Sequence, residues 1–127
     1  MVIDPQAQDS FIALLRLSGL IEEAKLAKVL DNLAHSDSLP FGNSIASLTM
    51  MLVGQGLLTN WQVAKLREGK HKGFVLDHLL LLDYLCSSRD SLTYLARDQN
   101  RSVLCKVKVF RQISAEPPPY RYEIEDL

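Results

Sequence analysis

Asp31, His35 and Asp37 stand close together in the chain, and carboxylates with an imidazole are ordinary metal ligands. Ser36, Asp37, Pro40 and Gly42 mark the same stretch as a loop, and surface polar residues on a loop account for all three. Lys65, Arg67, Lys70 and Lys72, with His71, gather cations that the phosphates of a nucleic acid would attract. Cations also suit a helix C-terminus, where they meet the negative end of the macrodipole. Nothing basic opens a recognition helix, so nucleic acid is an unlikely partner. Trp61 has the size of an interface anchor, but its place after a Gly-Leu-Leu turn suits packing between helices. Cys86 and Cys105 lack the close pairing of a metal knuckle or redox motif, and no serine sits in a nucleophile motif. These residue types therefore offer no catalytic group and no metal site.

The elements that must carry these residues come from an ordinary globular composition. The 127 residues allow one compact domain or two very small ones. Hydrophobic residues at 47% and charged residues at 23% permit a buried core and argue against global disorder. A net charge of −1 gives no general attraction to nucleic acid or anionic membrane. The opening residues lack the basic and apolar regions of a secretory signal. Residues 74–85, the longest apolar stretch, are interrupted by Asp77, His78 and Asp83, too short and too charged to span a bilayer. No membrane association is expected. The cytoplasm is the expected compartment, with both thiols reduced.

Helical periodicity dominates residues 8–70. Phe11, Leu14, Leu15 and Leu17 form one apolar stripe, with Asp9 or Ser10 as candidate cap and Ser18-Gly19 as the break. Residues 22–33 form a second amphipathic helix, with Leu26, Val29, Leu30 and Leu33 on one face and Glu22 and Glu23 in its first turn. Residues 35–43 read as a loop. A third helix runs from about 43 or 44 to 53. A fourth runs from 59 to about 68, capped by Thr59 and stopped by Gly69.

Residues 14–21 resemble residues 51–58, and Ala27-Lys28-Val29 aligns in the same offset with Ala64-Lys65-Leu66. Each copy reads helix, Gly-Leu-[Ile/Leu] turn, helix. The expected product is a four-helix unit in which each copy covers the apolar face of the other. Leu20, Ile21, Leu57 and Leu58 should be buried at the turns.

The pattern changes at Lys72-Gly73. Residues 74–85, 92–96 and 102–110 read as strands, the last alternating with Val103, Cys105, Val107 and Val109 on one side. Leu104, Lys106, Lys108 and Phe110 take the other side. Asp98-Gln99-Asn100 suits a hairpin turn. Pro117-Pro118-Pro119 excludes regular structure locally, and the acidic residues 120–127 either add an edge strand or fray.

From Gly56 to Val107 the chain resembles the front end of bacterial serine/threonine protein kinases with a helical N-terminal extension. The resemblance is carried by Gly56-Leu57-Leu58-Thr59-Asn60-Trp61-Gln62, by Lys72-Gly73-Phe74, by the leucine-rich strand, by Tyr94-Leu95-Ala96 and by Val103-Leu104-Cys105-Lys106-Val107. It implies that Lys106 occupies the position of the lysine that contacts the α- and β-phosphates of ATP, a vestigial cofactor-binding position. It also implies that residues 85–91 replace the glycine-rich phosphate loop. Cys86, Ser88 and Ser91 fall on the three glycine positions and Asp90 adds a negative charge, so the loop loses both close backbone approach and favourable electrostatics. No His-Arg-Asp catalytic loop and no Asp-Phe-Gly metal motif occurs in this chain, which implies no kinase activity from it alone and no bound cofactor.

The expected architecture is α+β. A helical domain spans residues 1–70, a three-stranded antiparallel meander like the start of a kinase N-lobe spans 72–112, and a Pro-rich, acidic tail spans 113–127. The expected function is a non-catalytic protein-interaction or regulatory module, not an enzyme, with a protein partner or a second copy bound through the meander. A nucleotide-binding remnant using Lys106 is the alternative, and a weak nucleic-acid binder using residues 65–72 is a second.

Overall fold

The computed structural model describes residues 5–35, 44–111 and 121–127. Asp37, Asn43 and Pro117-Pro118-Pro119 lie outside them. Four helices precede an antiparallel sheet of five strands, an α+β architecture. The chain divides into two compact units, Met1–Lys72 and Gly73–Leu127.

The first unit contains α1 (Pro5–Ser18), α2 (Glu23–His35), α3 (Ile45–Gly54) and α4 (Asn60–Arg67). Asp9 and Ser10 lie inside α1 rather than capping it, because the helix already starts at Pro5, whose fixed φ suits a first helical position. Ser44 caps α3, its hydroxyl accepting the Ser47 N–H at 3.3 Å. Thr59 and Gln62 form a reciprocal capping box on α4, with bonds of 3.1 and 3.0 Å. α2 packs on α3, and α1 packs on α3 and α4. Their stripes meet in a core of Phe11, Leu15, Leu26, Val29, Leu48, Leu52 and Leu66.

α1 and α3 both end at glycines in the left-handed region, Gly19 at φ 69° and Gly56 at φ 73°. After α3 the N–H groups of Leu57 and Leu58 bond back to Leu52 O at 2.9 and 3.3 Å, which closes the turn. Of the four apolar residues following these glycines, Leu58 alone is fully buried. Leu20, Ile21 and Leu57 are half-buried.

The second unit is one meander of β1 (Val75–Leu76), β2 (Leu79–Ser87), β3 (Ser91–Asp98), β4 (Val103–Phe110) and β5 (Tyr122–Asp126), paired in chain order. The sheet thus has five strands where three were expected. The apolar run 74–85 is not one strand: it reverses at Asp77-His78, pairing Leu76 with Leu79, with Asp77 at φ 56°. Aspartate tolerates that conformation better than most residues. At the other end, Tyr122 and Ile124 alternate with Glu123 and Glu125, and this period of two is enough to add β5 to the exposed edge of β4. Residues 122–126, read as part of a tail, therefore belong to the sheet. Leu79, Ala96, Cys105 and Val107 are fully shielded from solvent, with Phe74 and Leu81 nearly so.

Candidate functional site

The β2–β3 connection stands where the resemblance places a phosphate loop. It is a closed hairpin: Ser88 N–H donates to Ser91 O at 2.8 Å, and the two hydroxyls lie 2.9 Å apart. Asp90 O accepts the Arg111 N–H at 2.8 Å. Ser91 is buried, whereas Ser88, Arg89 and Asp90 are exposed at the tip. Serine side chains here fill, with their own hydrogen bonds, the turn that glycines would leave open to a ligand.

Lys106 is exposed in the middle of β4. Its cross-strand neighbours are Leu95 on β3 and Glu125 on β5, and Lys108 stands likewise between Thr93 and Glu123. The two lysines, Thr93, Glu123 and Glu125 border a concavity of about 380 Å³. Opposite charges thus face one another across the β4–β5 ladder. The same carboxylates would repel a phosphate brought to Lys106.

A polar network closes one end of the sheet. Asp98, almost wholly buried, accepts the N–H groups of Asn100 and Arg101 at 3.0 and 3.1 Å and Arg101 Nε at 2.7 Å. His78 Nε2 lies 3.5 Å from the same carboxylate. Arg101 then forks onto Asp126 of β5 at 3.3 and 2.8 Å. The Arg101 guanidinium holds the Asp98 carboxyl below the ordinary carboxylate range, with the backbone donors and His78 assisting against the opposing effect of burial. Asp126 is lowered by the same guanidinium. Tyr122 OH donates to Asp77 Oδ2 at 2.7 Å, which pushes the phenol up. As a group these residues leave no sequence signal beyond the turn-forming Asp98-Gln99-Asn100, since their partners are brought together only by strand pairing.

The other sequence candidates do not converge. His35 and Asp31 form an exposed pair at 3.2 Å, and no group of three metal-ligating side chains occurs among the described residues. Glu68 meets both Lys65, at 3.4 Å, and Lys70, at 3.9 Å, which weakens the basic cluster. Trp61 is half-buried in α4. Cys86 is exposed on β2 and Cys105 is buried in β4. No helix among the described residues is long and apolar enough to cross a membrane.

Around β1 and β2 several large apolar side chains are exposed, with the exposed Asp83 among them. Val75 is 52% exposed, and Tyr84 and Leu85 are each 42% exposed. Tyr84 meets Tyr94 edge to face, with centroids 6.0 Å apart. Next to them a concavity of about 270 Å³ is lined by Val75, Leu76, Leu81, Leu92, Tyr94 and Val109, together with Gly73. β1 pairs with Leu79 and Leu80 of β2, and just before β1 the Phe74 carbonyl accepts the Leu81 N–H at 2.8 Å. Comparison of the chain with protein-family models, with curated proteins and with solved structures finds no match.

Proposed function

We infer that the chain is a non-catalytic protein-interaction module derived from the front end of a serine/threonine protein kinase. The observation that carries this reading is the apolar β1–β2 side, where Val75 lines a concavity and Tyr84 and Leu85 stand exposed on β2. Exposed apolar groups gathered on one side of a sheet favour association. The kinase origin is supported by the meander order of β2, β3 and β4 with Lys106 in the third of these strands. The non-catalytic reading is supported by the serine-closed hairpin and by Glu123 and Glu125 beside Lys108 and Lys106. Duplication of a helix-turn-helix unit is the natural origin of the two positive-φ glycines, Gly19 and Gly56, at matching places in the helical unit.

The partner is a second copy of the chain, packed through the β1–β2 side. Light scattering across the micromolar range tests this. The wild-type chain should gain mass with concentration, and the Val75→Asp, Leu85→Asp chain should stay monomeric with an unchanged melting temperature. A wild-type chain that is monomeric throughout would refute self-association through this side.

A further inference from the structure

β5 sits on β4 as a bound peptide sits on a receptor, with a matching group for each of its side chains. Tyr122 OH donates to Asp77 Oδ2 at 2.7 Å. Glu123 stands opposite Lys108, Ile124 opposite the buried Val107, and Glu125 opposite Lys106. Asp126 takes both terminal nitrogens of Arg101. The receptor groups come from three separate places: the β1–β2 turn, the β3–β4 loop and β4 itself. β5 is terminal in the strand order, so one ladder and two exposed side-chain ties hold it, and Ile124 remains 38% exposed. Exposed charge pairs are individually weak and terminal elements open at low free-energy cost.

We propose that this edge of β4 is a docking groove for an extended acidic segment of a partner protein, occupied in cis by the chain's own β5. The proposal rests on the protein-interaction reading but uses the opposite edge of the sheet from the β1–β2 side. Main-chain bonding along the edge provides affinity, and alternate side-chain positions provide specificity. The partner segment carries two acidic residues flanking one apolar residue, to meet Lys108, Val107 and Lys106. A further carboxylate beyond them meets Arg101. A nucleic-acid strand fits poorly, because the exposed Asp77 would face its phosphates.

A fluorescent synthetic peptide with the sequence of residues 121–127, titrated with the full chain, tests the groove. Cis occupancy lowers apparent affinity in proportion to the fraction of chains that are open, so Tyr122→Ala with Asp126→Ala should bind the peptide at least about tenfold more tightly than wild type. In that background, Lys106→Glu with Lys108→Glu should abolish binding, and a peptide with lysine at the positions of Glu123 and Glu125 should restore it. Equal binding by wild type and the β5-weakened chain, or no restoration by the charge-swapped peptide, overturns the proposal. So does competition by a single-stranded oligonucleotide. Should the variants unfold, amide exchange on the unaltered chain decides: β4 protons bonded to β5 should exchange at least about tenfold faster than those bonded to β3, and uniform protection overturns the proposal. Peptide binding by the Val75→Asp, Leu85→Asp chain should match wild type, which separates this groove from the self-association side.

Discussion

The Tyr122 hydroxyl and the Asp77 carboxylate meet at 2.7 Å although they are 45 residues apart and belong to opposite ends of the strand order. In a flat sheet, strands four places apart are separated by roughly 19 Å, four spacings of about 4.8 Å. The sheet must therefore curl until its first turn and last strand touch. The curl gives β5 an anchor beyond its ladder to β4.

That bond predicts an alkaline sensitivity. A phenol donating to a carboxylate is favoured neutral, which raises Tyr122 above its ordinary value. The stabilisation is full below about pH 10, the ordinary tyrosine value, and is lost as pH rises through the higher folded value. Tyr122→Phe should lower the melting temperature at neutral pH, and the difference from wild type should shrink in strong alkali. A difference that is constant with pH would show that the bond contributes nothing.

Acid should act on the other tie. Asp98 and Asp126 are both held below the ordinary carboxylate range by Arg101. Their contribution is present above the ordinary aspartate value of about 3.9 and disappears as pH falls through the lower folded values. Asp98→Asn should therefore be less stable than wild type near neutrality, and the two urea midpoints should converge in strong acid. Parallel pH profiles would exclude the network as a source of acid sensitivity.

Two neighbouring glycines should respond with opposite signs. Gly54 is within α3 and nothing lies within 4 Å of an added Cβ. Gly54→Ala should stabilise by about 0.5 kcal/mol through the unfolded chain. Gly56 has equal space but φ 73°, and forcing alanine there should cost about 1–2 kcal/mol. Urea unfolding of the two variants checks both signs. A neutral Gly56→Ala would mean that the turn after α3 is not fixed as described.

Local signals in the sequence carried far into this fold, and non-local ones did not. The Thr59 cap, the helix break at Gly19 and the alternation of Cys105 and Val107 with Lys106 all depend on residues within a few positions. The reversal at Asp77 was hidden because residues 74–82 contain no Gly or Pro to mark it. β5 was legible only as one of two options, since short acidic strands depend on the edge they find. The candidate site was least legible: Arg101 and Asp126 are 25 residues apart and become neighbours only after β4 and β5 pair. Leu57 and Leu58 look alike in sequence, yet Leu58 is buried and Leu57 only half-buried.

The two thiols should differ sharply in reactivity. Cys86 is exposed, whereas Cys105 is fully buried, with burial and then the Asp98 carboxylate pushing its thiol up. The thiolate is the reactive form, so Cys105 is protected both by access and by protonation. A thiol-specific chromogenic reagent should label one cysteine rapidly in the native chain and the second only as the chain unfolds. Rapid labelling of both would place Cys105 near the surface.

Nucleotide should leave the chain unaffected, and the reason lies in the strand beside Lys106. A phosphate drawn to its ammonium would approach Glu125 across the ladder, and Glu123 next to Lys108 adds a second negative charge. The hairpin that would have to cradle the phosphate is closed by Ser88 and Ser91 and carries Asp90 at its tip. A ligand that binds only the folded state raises its melting temperature by mass action. ATP with magnesium should produce no such rise, and no phosphate should be transferred or released. Glu123→Gln with Glu125→Gln removes both carboxylates and tests the electrostatic part alone. If that variant gains a nucleotide-dependent rise that Lys106→Met then removes, Lys106 has kept its phosphate contact and β5 was the obstacle. A rise in the wild-type chain that Lys106→Met removes would instead make it a nucleotide-binding remnant.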